Sequence, residues 1–339
     1  MVFQGIHRYK KCYSKKIMNI SERITYMNGE FIPESEAKVH FRDRSFKYGD
    51  GVFDMTRTFG HKIFKIDEHV ERLYKSLNYL DIQINLSQKE MVEISLSVLE
   101  KNLHLIKSDE DYWVGQRISR GVDKVGGEQW DLDGGPTIIV ECAPLPLKPR
   151  ASLYESGIKV WTPSTRRTPF QSMSPRAKTH NYINLILGDN EVKRIDKDSW
   201  AILLDLDGNL TEGMGSNIFT VSNGVIYTPK SQHVLGGISR ETVIDLAVKN
   251  GLKLVEKDIE VFEAINSDEI FLTSTSLCIC PVTYFNGKKI GKNIFGPITS
   301  QLIDLYKKFV SFDFVDQYLK NDQQSQMTVS YTHLTLPTR

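Results

Sequence analysis

Four stretches of the sequence carry residue types that could do chemistry. In PRAKTHNYIN (residues 175–184) a lysine, Lys178, sits in a loop entering a helix, with Tyr182 four residues later. A lysine attacks carbonyl groups when desolvation lowers its pKa and leaves a neutral amine; most lysines are instead solvated and have no chemical role. In LTEGMGSNIF (210–219) Gly213 and Gly215 flank Met214, just after Glu212 and before a strand. That spacing lets backbone approach a ligand closely, or it simply turns the chain. VLGGISRETVIDLA (234–247) runs from a glycine pair directly into a helix. The free N–H groups of that helix start could take a phosphate, although an ordinary strand–turn–helix corner reads the same way. FLTSTSLCICP (271–281) ends an apolar strand in hydroxyls suited to an anion, but threonine suits any strand.

The elements that must position these residues fall in two halves. ITYM and EFIP flank Asn28-Gly29, a hairpin signal. FKYGDGVFDMTRTF and HKIFKI read as strands, DEHVERLYKSLNYL and KEMVEISLSVLEKNLHLI as helices, and YWVGQRISRG and PTIIVECAPL as strands again. The three prolines of APLPLKPRA (143–151) exclude a central strand or a helix interior and mark an interdomain linker. Beyond it come the strand IKVWTP, a polar loop, a helix over 182–194, the strand WAILLD and an Asp207-Gly208 turn. A second hairpin turns at Asn223-Gly224; SRETVIDLAVKNG follows as a helix with Ser239 as N-cap and Gly251 just past its end. EIFLTST, CPVTYF and a helix near 297–310 close the pattern.

The bulk numbers agree with a two-domain chain. There are 339 residues, 40% hydrophobic and 25% charged, with 43 basic against 42 acidic side chains. That balance gives no reason to expect nucleic acid or an anionic membrane as partner, and no apolar run is long enough to span a bilayer. The four cysteines make neither a disulfide framework nor a metal-ligand pattern, which fits a reducing cytoplasm and no metal. The expected division is a flexible leader over 1–22, a small N-terminal domain over 23–142, the linker over 143–152, a large domain over 153–318 and a non-native or disordered tail over 319–339. VSYTHLTLPTR (329–339) reads as translated sequencing-adaptor sequence from assembled environmental DNA.

Six motifs, YGDGVF (48–53), HVERL (69–73), Lys178 with Asn181-Tyr182, LTEGMGSNIF, LGGISRETV and SDEIFLTST, occur in this order. Together they resemble the class IV aminotransferases, the fold-type IV pyridoxal-5′-phosphate (PLP) enzymes, over about residues 25–315. The resemblance implies an α+β fold with a small N-terminal domain and a larger C-terminal domain built on a β-barrel-like sheet, with PLP in the cleft between them. It implies a homodimer in which loops of one subunit close the other's site. Lys178 would hold PLP covalently and carry the catalytic proton. Glu212 would pair with the pyridine nitrogen, and Tyr182 with the phenolic oxygen. Arg72, Ile238, Ser239 and Thr275 would hold the phosphate, and Gly215 would let the cofactor lie close to the backbone.

For substrate the resemblance points to Tyr48, Phe53, Arg57, Trp113, Gly115, Arg117 and Ser276. The expected reaction is ping-pong transfer of an amino group from a branched-chain-like L-amino acid to a 2-oxo acid, with an (R)-selective amine:pyruvate transaminase as the alternative. A D-amino-acid transaminase, an aminodeoxychorismate lyase and a non-catalytic PLP-binding module are further readings. Branched-chain enzymes commonly carry aromatic-x-Arg where this chain reads Trp113-Val114-Gly115. The Arg-x-His trap of D-amino-acid enzymes is absent after Gly121, and Tyr48-Gly49 stands where (R)-amine enzymes place His-Ser. Because side chains alternate along a strand, Trp113, Gly115 and Arg117 share one face. On this reading Gly115 leaves a gap beside the substrate and Arg117 meets a carboxylate.

Overall fold

The structure, a computed structural model, describes residues 21–321. The leader through residue 20 and the tail from residue 322 lie outside the described residues. The first half holds β1 (Ile24–Met27), β2 (Glu30–Pro33), α1 (Arg44–Tyr48), β3 (Gly51–Phe59), β4 (Lys62–Ile63), α2 (Ile66–Tyr79), α3 (Gln88–Asn102), β5 (Tyr112–Ser119) and β6 (Ile138–Pro144). Then follow α4 (Leu147–Arg150), α5 (Ser152–Ser156), β7 (Ile158–Trp161), α6 (Ile183–Ile195), β8 (Trp200–Ala201), β9 (Glu212–Gly213), β10 (Ser216–Ser222) and β11 (Val225–Thr228). The chain continues through α7 (Ile238–Lys249), β12 (Leu254–Glu256), α8 (Val261–Ile265), β13 (Glu269–Ser274), β14 (Cys278–Phe285), β15 (Lys288–Lys289) and α9 (Pro297–Val310).

The architecture is α+β. A six-stranded antiparallel sheet runs β2-β1-β6-β5-β3-β4. Its β1–β2 turn puts Asn28 and Gly29 at φ 49° and 100°, the doubly left-handed geometry that an Asn-Gly hairpin adopts. Tyr112, Val114 and Ile118 of β5 are buried with Val70, Leu73 and Leu77 of α2, so α2 and α3 cover one face. By alternation Trp113, Gly115 and Arg117 turn to the other face, toward the second sheet. That sheet has nine strands with the path β12-β11-β10-β13-β14-β7-β8, and β9 pairs with β10. Beyond β8 the chain turns to meet β9: Leu203 N donates to Glu212 O at 3.1 Å and Thr211 N donates to Leu203 O at 2.9 Å. The path thereby returns to β10 and closes on itself. Phe219 and Phe271 are register partners on β10 and β13 and stack at 4.9 Å in the core between this sheet and α7 and α9.

Several expectations need correction. The stretch before Gly51 is not strand: α1 forms there, with Asp43 accepting from Ser45 N and Gly49 ending it at φ 72°. HKIFKI contributes only the two residues of β4, because Ile66 already begins α2. The proline-rich segment, expected to hold neither a central strand nor a helix, contributes to both. Ala143 and Pro144 pair with Trp113 and Tyr112, and Pro149 is accommodated in α4 because the first turn of a helix needs no N–H from it. WAILLD supplies only β8 as regular strand. Ser239 is not the N-cap of α7; Gly237 is, and the Ser239 hydroxyl instead donates to Ser274 O at 3.1 Å. Residues 319–321, assigned to the tail, continue a helical stretch from residue 314 whose Phe314 and Tyr318 are fully buried. Among the described residues no helix is long and apolar enough to cross a membrane, and no three His, Cys, Asp or Glu side chains are placed to hold a metal ion.

Candidate active site

Lys178 is held in place by strand-like pairing to β3. Residues 51–53 of β3 have β5 on one side only, so the other edge offers free N–H and C=O groups. The loop after β7 takes that edge: Phe53 N donates to Lys178 O at 3.0 Å, His180 N to Gly51 O at 2.8 Å, and Val52 bridges Thr179. Ser76 of α2 adds a fourth tie, accepting from Lys178 N at 3.0 Å. Gly51 is required for this approach, since a Cβ there would lie 2.7 Å from both Ile118 O and the His180 ring. The Lys178 amine donates to the Tyr182 hydroxyl at 3.1 Å and lies 4.5 Å from the centre of the Phe53 ring.

Across the cavity stands Glu212. Its Oε1 accepts from Arg167 Nε at 3.1 Å and Nη2 at 3.0 Å, and its Oε2 accepts from Leu235 N at 2.8 Å. Both partners of this ion pair are buried. With two guanidinium N–H groups on one oxygen and a backbone N–H on the other, the carboxylate is fixed in orientation. Sequence reading found Glu212 but not Arg167, one arginine of a polar loop with no periodicity or motif around it.

One end of the cavity is built for an anion. The N-terminus of α7, with Ile238 and Ser239 in its first turn, and Thr275 at the end of β13 line it together with Arg72, Lys178, Tyr182, Glu212 and Gly215. Arg72 donates through Nε and Nη2 to the two oxygens of Asp54 at 2.8 Å each, and through Nη1 to Gly236 O at 2.8 Å. Burial would raise the Asp54 carboxyl, but the adjacent charges of Arg72 and His69 outweigh it and hold Asp54 well below the usual carboxylate range. His69 donates to Asp54 at 2.7 Å, and burial pushes its own pKa down. Asp54 and His69 were not singled out in the sequence; an acid inside an apolar strand facing a histidine on the next helix was the available signal.

On the other side of Lys178 the cavity opens between the two sheets. Phe53, Met55, Trp113, Arg150, Trp200 and Ser276 form its walls. Three expected substrate residues, Phe53, Trp113 and Ser276, are therefore brought together; four are not. Tyr48 lies 58% exposed on α1, outside the walls. Gly115 leaves no gap, because Met55 fills the space: a Cβ on Gly115 would lie 2.7 Å from Met55 Cε. Arg117 is bound to Glu141 at 2.6 Å, with its guanidinium 5.4 Å from the Phe53 ring. Arg57 is sealed in the core. It donates to Thr58 O at 2.9 Å, Ser276 O at 2.7 Å and Gln317 Oε1 at 2.9 Å, so it fixes the turn after β13 rather than facing the cavity.

A lysine amine beside a hydroxyl, a fixed carboxylate opposite it and an anion cradle at one end form an unusual set of neighbours, and related proteins share the frame that carries them. Residues 51–285 match the family described as amino-transferase class IV. A putative branched-chain-amino-acid aminotransferase of Methanocaldococcus jannaschii is 37% identical over 283 residues, covering 83% of this chain and 94% of its own. A D-alanine aminotransferase of Bacillus licheniformis is 29% identical over 276 residues, covering 81% and 93%. Among solved structures, a T.th. branched-chain amino acid aminotransferase complexed with N-(5′-phosphopyridoxyl)-L-glutamate superimposes with a TM-score of 0.75 at 27% identity, covering 85% of this chain and 94% of that one. The matched span holds every wall of the cavity, and the chain belongs to the class IV aminotransferases.

Proposed function

We propose that this aminotransferase uses PLP to move an amino group from a branched-chain-type L-amino acid to a 2-oxo acid, in two half-reactions in which the oxo product leaves before the acceptor binds. The observation that carries the reading is the single cavity in which the Lys178 amine and the Glu212 carboxylate face one space whose end is the α7 N-terminus with Arg72 and Thr275. The residues fit the cofactor. Thr273 Oγ1, buried in the same wall, has no hydrogen-bond partner, and a Cβ on Gly215 would meet nothing within 4 Å, so the cavity has both polar capacity and room. Ile238, Ser239, Thr275 and Arg72 would hold the phosphate, Tyr182 the phenolic oxygen and Glu212 the pyridine nitrogen. Bound there, PLP supplies an electron sink for the carbanion formed at substrate Cα.

The chain's own groups do the rest. The Lys178 amine takes the proton from substrate Cα, and the Tyr182 hydroxyl keeps that amine on station at 3.1 Å. Glu212, held by Arg167, keeps a proton on the ring nitrogen. Phe53, Met55 and Trp113 exclude water and offer an apolar wall to a branched side chain. Phe41, Phe46, Tyr48 and Trp130, in and around α1, are exposed by 58% or more and favour burial against a second copy in a homodimer.

The test is a donor panel of L-leucine, D-alanine and (R)-1-phenylethylamine against pyruvate and 2-oxoglutarate, with Lys178→Ala as control. L-Leucine is expected to be the fastest donor, and Lys178→Ala to lose turnover and the cofactor's visible absorbance while keeping its fold. Faster turnover of D-alanine or of the amine would overturn the branched-chain assignment; turnover by Lys178→Ala would overturn the role of the lysine.

A further inference from the structure

The cavity beyond Lys178 contains a cation that the proposed mechanism leaves unused. Arg150 is the last residue of α4, in the segment joining the two halves. Its guanidinium lies 5.4 Å from the centre of the Trp113 ring and 5.8 Å from that of Trp200, and its Nη1 donates to the Ser276 hydroxyl. Four other arginines near the site each have an acid. Arg72 has Asp54, Arg167 has Glu212, Arg117 has Glu141, and Arg57 lies 3.7 Å from Asp111. Among the described residues no carboxylate lies within ion-pairing distance of Arg150. Asp189 and Asp198 of the same cavity stand outside that distance, beside Lys193 and Lys197.

Burial pushes the Arg150 guanidinium below the ordinary arginine value, and the groups that oppose it, Tyr318, Tyr154 and Cys280, are hydroxyls and a thiol that burial keeps protonated. An arginine in a protein does not lose its proton. A partly buried charge without a counter-ion is less favourable than a paired one, and an entering anion relieves it. The planar guanidinium, flanked by two indole rings, also keeps a fork of N–H donors suited to a carboxylate.

We propose that Arg150 is the counter-ion of the substrate carboxylate, reaching it from the connecting segment over the Ser276 end of the cavity. The inference rests on the proposed aminotransferase reaction, whose donor and acceptor both carry a carboxylate. It assigns to Arg150 the role that the sequence suggested for Arg117, which the structure commits to Glu141.

The test measures binding before turnover. Purified holoprotein is titrated with 4-methylvalerate, an unreactive carboxylate, and with the neutral 4-methyl-1-pentanol. Heat and tryptophan emission are followed, since Trp113 and Trp200 flank the site. Arg150→Gln keeps a polar group for Ser276 and removes the charge; Arg150→Lys keeps the charge. Arg150→Gln should weaken 4-methylvalerate about thirtyfold, a loss typical of one charged hydrogen-bond partner, and change alcohol binding less than threefold. Arg150→Lys should recover part of the loss. KM values then separate two sources of the same chemistry. A rise for pyruvate and 2-oxoglutarate alike assigns the carboxylate next to the oxo carbon, and a rise for 2-oxoglutarate alone assigns the distal one. Carboxylate affinity unchanged in a folded, cofactor-loaded Arg150→Gln overturns the proposal. Binding needs no amino transfer, so a chain that binds through Arg150 but transfers no amino group would refute the aminotransferase reading alone.

Discussion

Lys178 and Glu212, the proposed working pair, are held by side chains set behind them. Arg167 illustrates this: it gives Glu212 two of its three hydrogen bonds. Replacing it by methionine leaves a buried carboxylate short of its counter-ion, and the expected cost is about 3 kcal/mol in denaturant unfolding. Glu212→Gln in the same chain should restore much of that stability and none of the turnover. A second residue-scale prediction concerns His180, whose ring stacks on Phe53 at 5.5 Å with Nε2 buried and unpartnered. Burial, helped by the repulsion of Arg117, lowers its pKa to about 4. The unfolded chain, with an ordinary histidine pKa of about 6.5, takes up the proton first. Stability should therefore be full above pH 6.5 and fall as the pH drops toward 4, by about 2 kcal/mol between pH 7.5 and 5. Guanidinium melts of wild type and His180→Gln at the two pH values check this, and an equal loss in both would sink it. Lys178, Tyr182 and Glu212 could be read because they stand in contiguous motifs. Asp54, His69, Arg167 and Arg150 could not, because what matters about them is a partner, or the lack of one, on another element.

At the scale of elements, the Asn28-Gly29 and Asn223-Gly224 hairpins and the periodic helices α2 and α3 were legible, since turn chemistry and the 3.6-residue repeat are local. The short pieces were not. α1, β4, α4 and β8 are defined by what lies beside them, and two to five residues carry no period of their own. The union of the lysine loop with β3 is a further case, as it forms between segments more than 100 residues apart. Gly51 is its most demanding position. Gly51→Ala forces a Cβ against the Ile118 carbonyl, and overpacking of this kind typically costs about 1–3 kcal/mol. Because the same contact seats Thr179 and His180, kcat should fall with stability. A variant with lowered melting temperature and undiminished kcat would mean that the loop holds Lys178 without this seam.

For the whole molecule, length and the proline cluster suggested two halves; the buried side chains form two large clusters, and the larger one also takes Phe59 from the first half. What joins the halves was not readable. Gln317 accepts from Arg57 at 2.9 Å and donates to Asp111 at 2.8 Å, while Phe314 and Tyr318 beside it pack into the large cluster. Phe314→Ala is expected to cost about 4 kcal/mol by opening a cavity there. Chemical denaturation checks the magnitude, and a loss below about 1 kcal/mol would show that this stretch contributes little to the core.

The closure of the large sheet at Leu203 and Glu212 has a consequence for where the chain opens. Glu212 offers its carbonyl to the sheet and its carboxylate side chain to the cavity wall, so one residue belongs both to the fastening of the cylinder and to the proposed cofactor site beside it. A ligand that binds only the fastened form lowers the fraction of chains open at that point, by mass action. Chains without cofactor are therefore expected to open there more often. Limited proteolysis with and without PLP checks this: the cofactor is expected to slow cleavage near this closure.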